Sequence, residues 1–286
     1  KDLLKLDESD DSIDVSRPFY CALRYHFYEA YEEADIKLNY RCGDSPEVAE
    51  VIENLPRNVS SFGFSDNNDF QILDFTQNKD GSDFVLFDKK NNNKMSFKTN
   101  MIGKHNILNT TAAITVSLDE GISYEGIKQA LEKFIVIERR FQLISENVFE
   151  KDIILIDDYG HHPEELRVSI NTAKEVWPDR EVLVVFQPHR YTRTKALFED
   201  FVSILSDCKN LILLEIYPAS EEPIKGYESE DLIKQIKIKN PEAILVNGIE
   251  EAYQEMQKFN KDNFIFLTQG AGNTSALASK FKIKVN

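Results

Sequence analysis

Four short apolar runs in the second half of the chain restrict what it can fold into. They are Ile153 to Ile156, Val182 to Phe186, Leu211 to Ile216 and Phe264 to Leu267, with a weaker run, Ala243 to Val246, before the last. A strand sends successive side chains to opposite faces, so a run that is apolar at nearly every position is a strand buried on both. Amphipathic stretches separate these runs; Leu166, Ile170, Ala173 and Trp177 keep the i, i+4, i+7, i+11 spacing of a helix with one apolar stripe. Strands and helices alternating in this way predict an α/β unit, a mostly parallel, Rossmann-like sheet with helices on both faces.

The first half has a different texture. Polar turns at Asp66-Asn67-Asn68-Asp69, Asp80-Gly81-Ser82 and Asn91-Asn92-Asn93 enclose the short runs Phe70 to Phe75 and Asp83 to Phe87. That spacing predicts antiparallel strands joined by hairpins. A helix follows over Asn106 to Leu118, with Leu108, Ala112, Thr115 and Val116 on one side and Gly121 as its stop, and a second over Tyr124 to Phe134. The texture changes after Arg139-Arg140-Phe141, which places a domain boundary near residue 138 and divides the chain into 1–138 and 139–286. The 286 residues suffice for two ordinary domains.

Charge and cysteine content narrow the setting. A formal net charge of −15 argues against a chain whose main task is coating nucleic acid or an anionic membrane, although a few local arginines can still hold an anionic ligand. No apolar run approaches the roughly 20 residues of a membrane-spanning helix. The first residues carry no apolar signal-peptide core, and Cys21, Cys42 and Cys208 are widely spaced with no C-x-x-C pair. Reduced thiols in a cytoplasmic protein are therefore expected, rather than a disulfide or zinc framework.

In open parallel sheets, ligands collect at the carboxyl ends of the strands. Here those ends read Asp157-Asp158-Tyr159-Gly160-His161-His162-Pro163, Gln187-Pro188-His189-Arg190-Tyr191-Thr192-Arg193, Tyr217-Pro218-Ala219-Ser220-Glu221-Glu222 and Gln269-Gly270-Ala271-Gly272-Asn273-Thr274. Three of the five histidines thus fall at two strand ends, beside two carboxylates and two arginines. Arg190 and Arg193 offer planar forks for a carboxylate or phosphate. Asp157 and Asp158 are neighbours on a strand, so at most one is expected to face a ligand. Asp158, His161 and His162 lack the i, i+4 histidine spacing of a helical zinc site, and no metal site is expected. A G-x-S-x-G elbow is absent, which disfavours a serine hydrolase. Gly270-Ala271-Gly272 admits three readings: half of a dinucleotide fingerprint, an anion site at a helix start, or close backbone packing with Asn273 or Thr274 as cap. In Gly103-Lys104-His105-Asn106-Ile107-Leu108-Asn109, the two asparagines share a helix face suited to an amide or a purine edge; a cap followed by a solvated Asn is the alternative.

These strings, following GKHNILNTTAAI and ERRFQ in order, resemble the Mur ligase family, and DDYGHHP with PHRYTR is similar to its alanine-adding branch. The resemblance implies a partial central, ATP-binding domain followed by a Rossmann-like amino-acid-binding domain. It implies an ATP-dependent amide-bond ligase of peptidoglycan precursor synthesis, joining L-alanine to UDP-N-acetylmuramate through an acyl phosphate with ATP and Mg²⁺. By motif position, His105, Asn106 and Asn109 would approach the adenine, Arg140 the phosphates and Asp158 the ribose. Tyr159, His161, Arg190 and Arg193 would bind the amino acid and the acyl group, with His189 in support; His161, Arg190 and Arg193 would be the catalytic set. The first 40 residues depart from the family pattern. The 286 residues contain no G-x-x-x-x-G-K-[ST] phosphate loop, Lys5 stands where a magnesium-ligating Glu is expected, and Arg24-Tyr25-His26-Phe27 is at most a remnant of a further motif. A fragment of a complete ligase, inactive by itself, is the favoured expectation; a non-catalytic binding module that has lost ATP chemistry is the alternative.

Overall fold

The structure is a computed structural model that describes residues 40–45, 48, 59–134, 138–259 and 261–281. Lys5 and Arg24 to Phe27 lie outside the described residues.

The amino-terminal unit is a five-stranded sheet in simple sequence order: β1 (Tyr40–Cys42), β2 (Ser60–Gly63), β3 (Phe70–Asn78), β4 (Gly81–Asp88) and β5 (Asn93–Thr99). The two hairpins predicted from the turns are β3–β4 and β4–β5, both antiparallel. Their tight turns use left-handed backbone where small or amide residues permit it, at Asn92 (φ 49°) and Gly81 (φ 135°). The parallel pairing of β1 with β2 and of β2 with β3 was not legible from alternation. Helices α1 (Lys104–Asp119) and α2 (Tyr124–Glu132) follow, with Ser123 Oγ capping α2 through Gly126 N at 3.2 Å. Ile107, Ile114 and Ile127 from these helices pack on Ile72, Phe84, Leu86, Met95 and Phe97 of the sheet.

The carboxyl-terminal unit is a six-stranded sheet made of β6 (Gln142–Ser145), β7 (Ile153–Asp158), β8 (Glu181–Phe186), β9 (Asn210–Leu214), β10 (Ile244–Val246) and β11 (Phe264–Gln269), in the order β10-β9-β8-β11-β7-β6. Every pairing is parallel except that of β6, a short antiparallel edge strand. The continuous apolar runs are explained by two cores on opposite faces. Ile154, Ile156, Val184, Phe186, Leu211, Leu213, Ile265 and Leu267 face one side. There they meet α3 (Pro163–Val176), α5 (Phe198–Ser206) and α6 (Ser229–Lys239) through residues such as Leu166, Phe201 and Leu232. The alternate residues Ile153, Leu155, Leu183, Val185, Ile212, Leu214, Phe264 and Phe266 face the other side, under α7 (Ile249–Lys258) and α8 (Thr274–Ser279). A short helix, α4 (Tyr191–Ala196), leads into α5.

The two units meet at a packed junction. Ile102, which follows β5, is buried in the carboxyl-terminal core that also holds Phe141 and Ile170. Gly103 N donates to Gln77 Oε1 at 2.9 Å, and Gln77 Nε2 donates to Glu175 at 3.0 Å. Among the described residues no helix is long and apolar enough to cross a membrane.

Phe266 is fully buried on β11, between its two parallel partners. Phe266→Ala is expected to cost about 3–5 kcal/mol, because the transfer free energy is lost and a cavity remains in a sheet fixed on both sides. Urea unfolding of the variant beside the wild type measures it.

Candidate functional site

The apolar interior of the sheet gives way to a dense set of polar side chains at its carboxyl rim, where the loops after β7, β8, β9 and β11 lie. The turn after β7 is built by two carboxylates. Asp158 is buried and accepts from Phe141 N at 2.8 Å, Gly160 N at 2.6 Å and Gln269 Nε2 at 3.3 Å. Burial raises its pKa against those amides. Glu165 accepts from His161 N at 2.8 Å and His162 N at 3.0 Å, and Glu164 N donates back to His162 Nδ1 at 3.3 Å. This is a capping box for α3 with histidine in place of the usual serine or threonine. Burial works to raise the Glu165 carboxyl, yet the two amides, His161 and Arg140 hold it below the usual range.

The loop after β8 is stapled to the loop after β9. Tyr217 N donates to Pro188 O at 2.8 Å, and Arg190 N to Tyr217 O at 2.9 Å. The His189 and Tyr217 rings stack at 5.4 Å and 8°. His161 lies 5.9 Å from His189, and Tyr159 sets its edge 5.4 Å from His161. Four rings thus cross the rim in the order Tyr159, His161, His189, Tyr217.

Arg193, on α4, donates from Nη1 to His189 O at 2.9 Å and approaches His189 Nδ1 at 3.3 Å. A guanidinium can only donate, so that Nδ1 is an acceptor and carries no proton. Burial, with Arg193, His161 and Arg190, pushes His189 down to about 4. His161 is lowered too, chiefly by burial. Burial and the neighbouring Arg190 lower Arg193, whose Nε is buried with no partner. Two imidazoles with lowered pKa thus stand beside a guanidinium that keeps one donor unpaired, a combination whose chemistry suits a planar anion.

Several expectations need correction. Arg190 does not stand open as a free fork: its Nη1 pairs with Glu221 Oε1 at 3.2 Å. Asp158 holds the backbone of its own turn through both carboxylate oxygens. Asp157 is not directed at the rim either; it accepts from Arg139 Nε at 3.0 Å and Thr268 Oγ1 at 2.7 Å. Asn106 and Asn109 do not present alike. Asn106 is buried and its Nδ2 is tied to Ile102 O at 2.8 Å, whereas Asn109 is exposed. Neither caps α1, whose first position is preceded by Gly103 at φ 99°.

The Gly270-Ala271-Gly272 turn is a matter of close packing, not of a dinucleotide. A Cβ on Gly272 would fall 2.3 Å from Gln187 Oε1 and 2.8 Å from Tyr217 Cβ, and one on Gly270 2.7 Å from Gln187 O. Gln187 Oε1 instead accepts from Asn273 N at 2.9 Å, and neither Asn273 nor Thr274 caps α8 by its own side chain.

At the junction of the two units, His105 is held down to about 4, first by burial and then by Arg140, and its buried Nδ1 has no partner. The Arg140 guanidinium sits 5.9 Å from the Tyr159 ring and acts on His105, Asp158 and Glu165 alike. It therefore links the His105 end of the site with the strand-end rim. Arg139, Glu165, Tyr217 and Glu221 hold the rim loops in place from outside the candidate ligand-facing set and were not singled out from sequence. Only Glu165 carried a local signal, its position three residues after a helix cap. Among the described residues no cluster of three or more His, Cys, Asp or Glu side chains is placed to hold a metal ion.

This arrangement, a mixed hairpin-rich sheet followed by a mostly parallel sheet with polar groups gathered on its carboxyl rim, is a two-unit α/β architecture. Residues 24–117 match the Mur ligase middle domain, and residues 139–272 match the Mur ligase glutamate ligase domain. The chain belongs to the Mur ligases and carries their middle and C-terminal domains. The UDP-N-acetylmuramate–alanine ligase of Thermotoga maritima superposes with a TM-score of 0.68 at 23% identity, covering 92% of this chain and 55% of that one. A MurF ligase of the same organism, solved in complex with ADP, gives 0.66 at 17% identity over 95% and 59%. A pseudomurein peptide ligase type C of Methanothermus fervidus gives 0.62 at 18% identity over 86% and 56%. The chain therefore spans a little over half the length of these solved ligases, and at these identities the likeness is one of fold.

His105 and His189 both have folded-state pKa values near 4, below the ordinary 6.5. Between those values the unfolded chain binds more protons, so stability rises with pH across that window. Thermal unfolding of the chain should show its midpoint falling as pH drops from about 6.5 towards 4. The double variant His105→Gln, His189→Gln should flatten that slope; an unchanged slope contradicts the assignment.

Proposed function

We propose that the chain is the nucleotide- and amino-acid-handling part of an ATP-dependent ligase that joins L-alanine to UDP-N-acetylmuramate in peptidoglycan precursor synthesis. The observation that carries this reading is Arg193. Its buried, unpartnered Nε lies beside neutral His161 and His189 on the strand-end rim, where a carboxylate would complete it. Water satisfies such a donor poorly in a confined site, whereas a carboxylate meets it with a charge-assisted bond.

The residues divide into two groups in this reading. Tyr159, His161, His189 and Arg193 bind and orient the amino acid and the acyl group. Arg190, already paired, adds positive potential and fixes α4. At the junction, the unpartnered Nδ1 of His105, the exposed amide of Asn109 and the Arg140 guanidinium suit a purine nucleotide and its phosphates. Asn106 holds the start of α1 so that His105 and Asn109 project from it. ATP, when bound, would supply the phosphoryl group that activates the muramyl carboxylate as an acyl phosphate; the alanine amine would then attack the acyl carbon, forming the amide as inorganic phosphate leaves. A positively charged rim stabilises the charge that develops during that transfer. Mg²⁺, which the resemblance implies, would be held largely by the nucleotide phosphates, since no group of three or more His, Cys, Asp or Glu side chains is placed to hold it among the described residues.

The similarity of DDYGHHP and PHRYTR to the alanine-adding branch supports L-alanine as the amino acid. The full-length gene product should release phosphate only when ATP, UDP-N-acetylmuramate and L-alanine are present together. ATP-independent ligand binding with no phosphate release would favour a non-catalytic module instead. The 286-residue chain alone, without a phosphate loop, should turn over negligibly. In the full-length enzyme, Arg193→Lys should lower kcat/KM for alanine by roughly 1–3 kcal/mol, since an ammonium cannot reproduce the fork. Steady-state kinetics with varied alanine reads this, and unchanged values in the variant would take Arg193 out of the amino-acid site.

A further inference from the structure

We infer that Glu221 is a positioning residue for the amino-acid site, acting on Arg193 through Arg190 and the first turn of α4. The consequence for catalysis rests on the ligase reading above; the positioning itself rests on geometry.

Helix α4 begins without a cap of its own. The residue at its cap position is Arg190, which has a cationic side chain and left-handed backbone at φ 74°. A guanidinium cannot accept the amide protons at a helix start. Glu221 supplies the missing acceptor from the loop after β9: its Oε2 accepts from Thr192 N at 3.0 Å, and its Oε1 from Thr192 Oγ1 at 2.7 Å. The same Oε1 takes the Arg190 Nη1 donor at 3.2 Å. One carboxylate therefore holds three donors from two residues, Arg190 and Thr192, which lie 31 and 29 residues away in sequence.

The loop is shaped to deliver it. Ala219 and Ser220 both adopt left-handed backbone, at φ 48° and 70°, and Glu221 N closes the turn on Pro218 O at 3.0 Å. Left-handed conformations are unfavourable for non-glycine residues and persist where surrounding contacts over-determine them. Three such residues, Arg190, Ala219 and Ser220, flank this single carboxylate. The Tyr217 staples to Pro188 and Arg190 fix the same two loops from the other side. Glu222, the next residue, is exposed and makes no hydrogen bond to α4 among those found, so it does not duplicate the role.

Charge completes the argument. Arg190 and Arg193 stand one helical turn apart and repel each other, and Glu221 offsets that repulsion. Removing its charge should let Arg190 swing out and Arg193 lose its register against His189, while the His105 end of the site is untouched.

The test uses Glu221→Gln and Glu221→Ala with two readouts. In the 286-residue chain, amide exchange at Thr192 by NMR should speed up by about tenfold or more in Glu221→Ala, with core amides of β11 unchanged. In the full-length enzyme, both variants should raise KM for alanine by about three- to tenfold, with kcat and KM for ATP within about twofold of wild type. Glu221→Gln should add little further loss to Arg190→Met, because the two act through one pair. Unchanged Thr192 exchange overturns the positioning role, as does an alanine KM that does not move or a loss shared equally by ATP and alanine. If Glu221→Ala does not fold, Glu221→Gln decides through the alanine KM and the cycle with Arg190→Met. A wild-type enzyme without alanine-dependent phosphate release overturns the ligase reading, and Thr192 exchange still decides the role of Glu221.

Discussion

Burial of β11 on both faces, between β7 and β8, is the constraint from which the rest of the structure follows. Its side chains from Phe264 to Leu267 enter two separate cores, and its backbone is paired along both edges. No polar side chain can sit along such a strand without losing water, so polarity is pushed to its carboxyl end. There Thr268 donates to Asp157 and Gln269 to Asp158, and β11 meets β7 through side chains as well as through the ladder. Arg139 completes the seam, pairing with Asp157 and donating to Gly270 O and Thr274 Oγ1. The rim is rigid because the sheet beneath it cannot adjust.

On that base, the candidate site is made by neighbours fixing neighbours. Asp158 and Glu165 spend their charge on backbone amides and so aim Tyr159 and His161. Tyr217 staples the loop that carries His189. What remains under-satisfied is small in number: Nε of Arg193 at the rim and Nδ1 of His105 at the junction. Unmet buried polar atoms are costly, and these two lie on either side of Arg140, which acts on His105 at the junction and stacks near Tyr159 at the rim.

Much of this was legible from residues alone. The continuous apolar runs specified a sheet covered twice, because only a doubly buried strand tolerates apolar side chains at successive positions. The asparagine- and glycine-rich turns located both hairpins for an equally local reason. The strand-end rule places histidines and arginines on one rim from the sequence alone. Less legible were the parallel pairings of β1 to β3, the short edge strand β6 and the roles of Asp158, Arg190 and Asn106. Each depends on a partner distant in sequence or on the direction of a side chain, which composition and periodicity do not encode.

The acidic chain and its arginine-bearing rim illustrate the division. By itself the sequence determined the α/β class, the two textures, the set of chemically capable side chains and the motifs that tie them to Mur ligases. These follow from local periodicity and residue chemistry. Tertiary structure alone decided which of those side chains are already spent. Glu221 neutralises Arg190 while Arg193 keeps an open donor, because two loops thirty residues apart in sequence are held side by side by parallel strands.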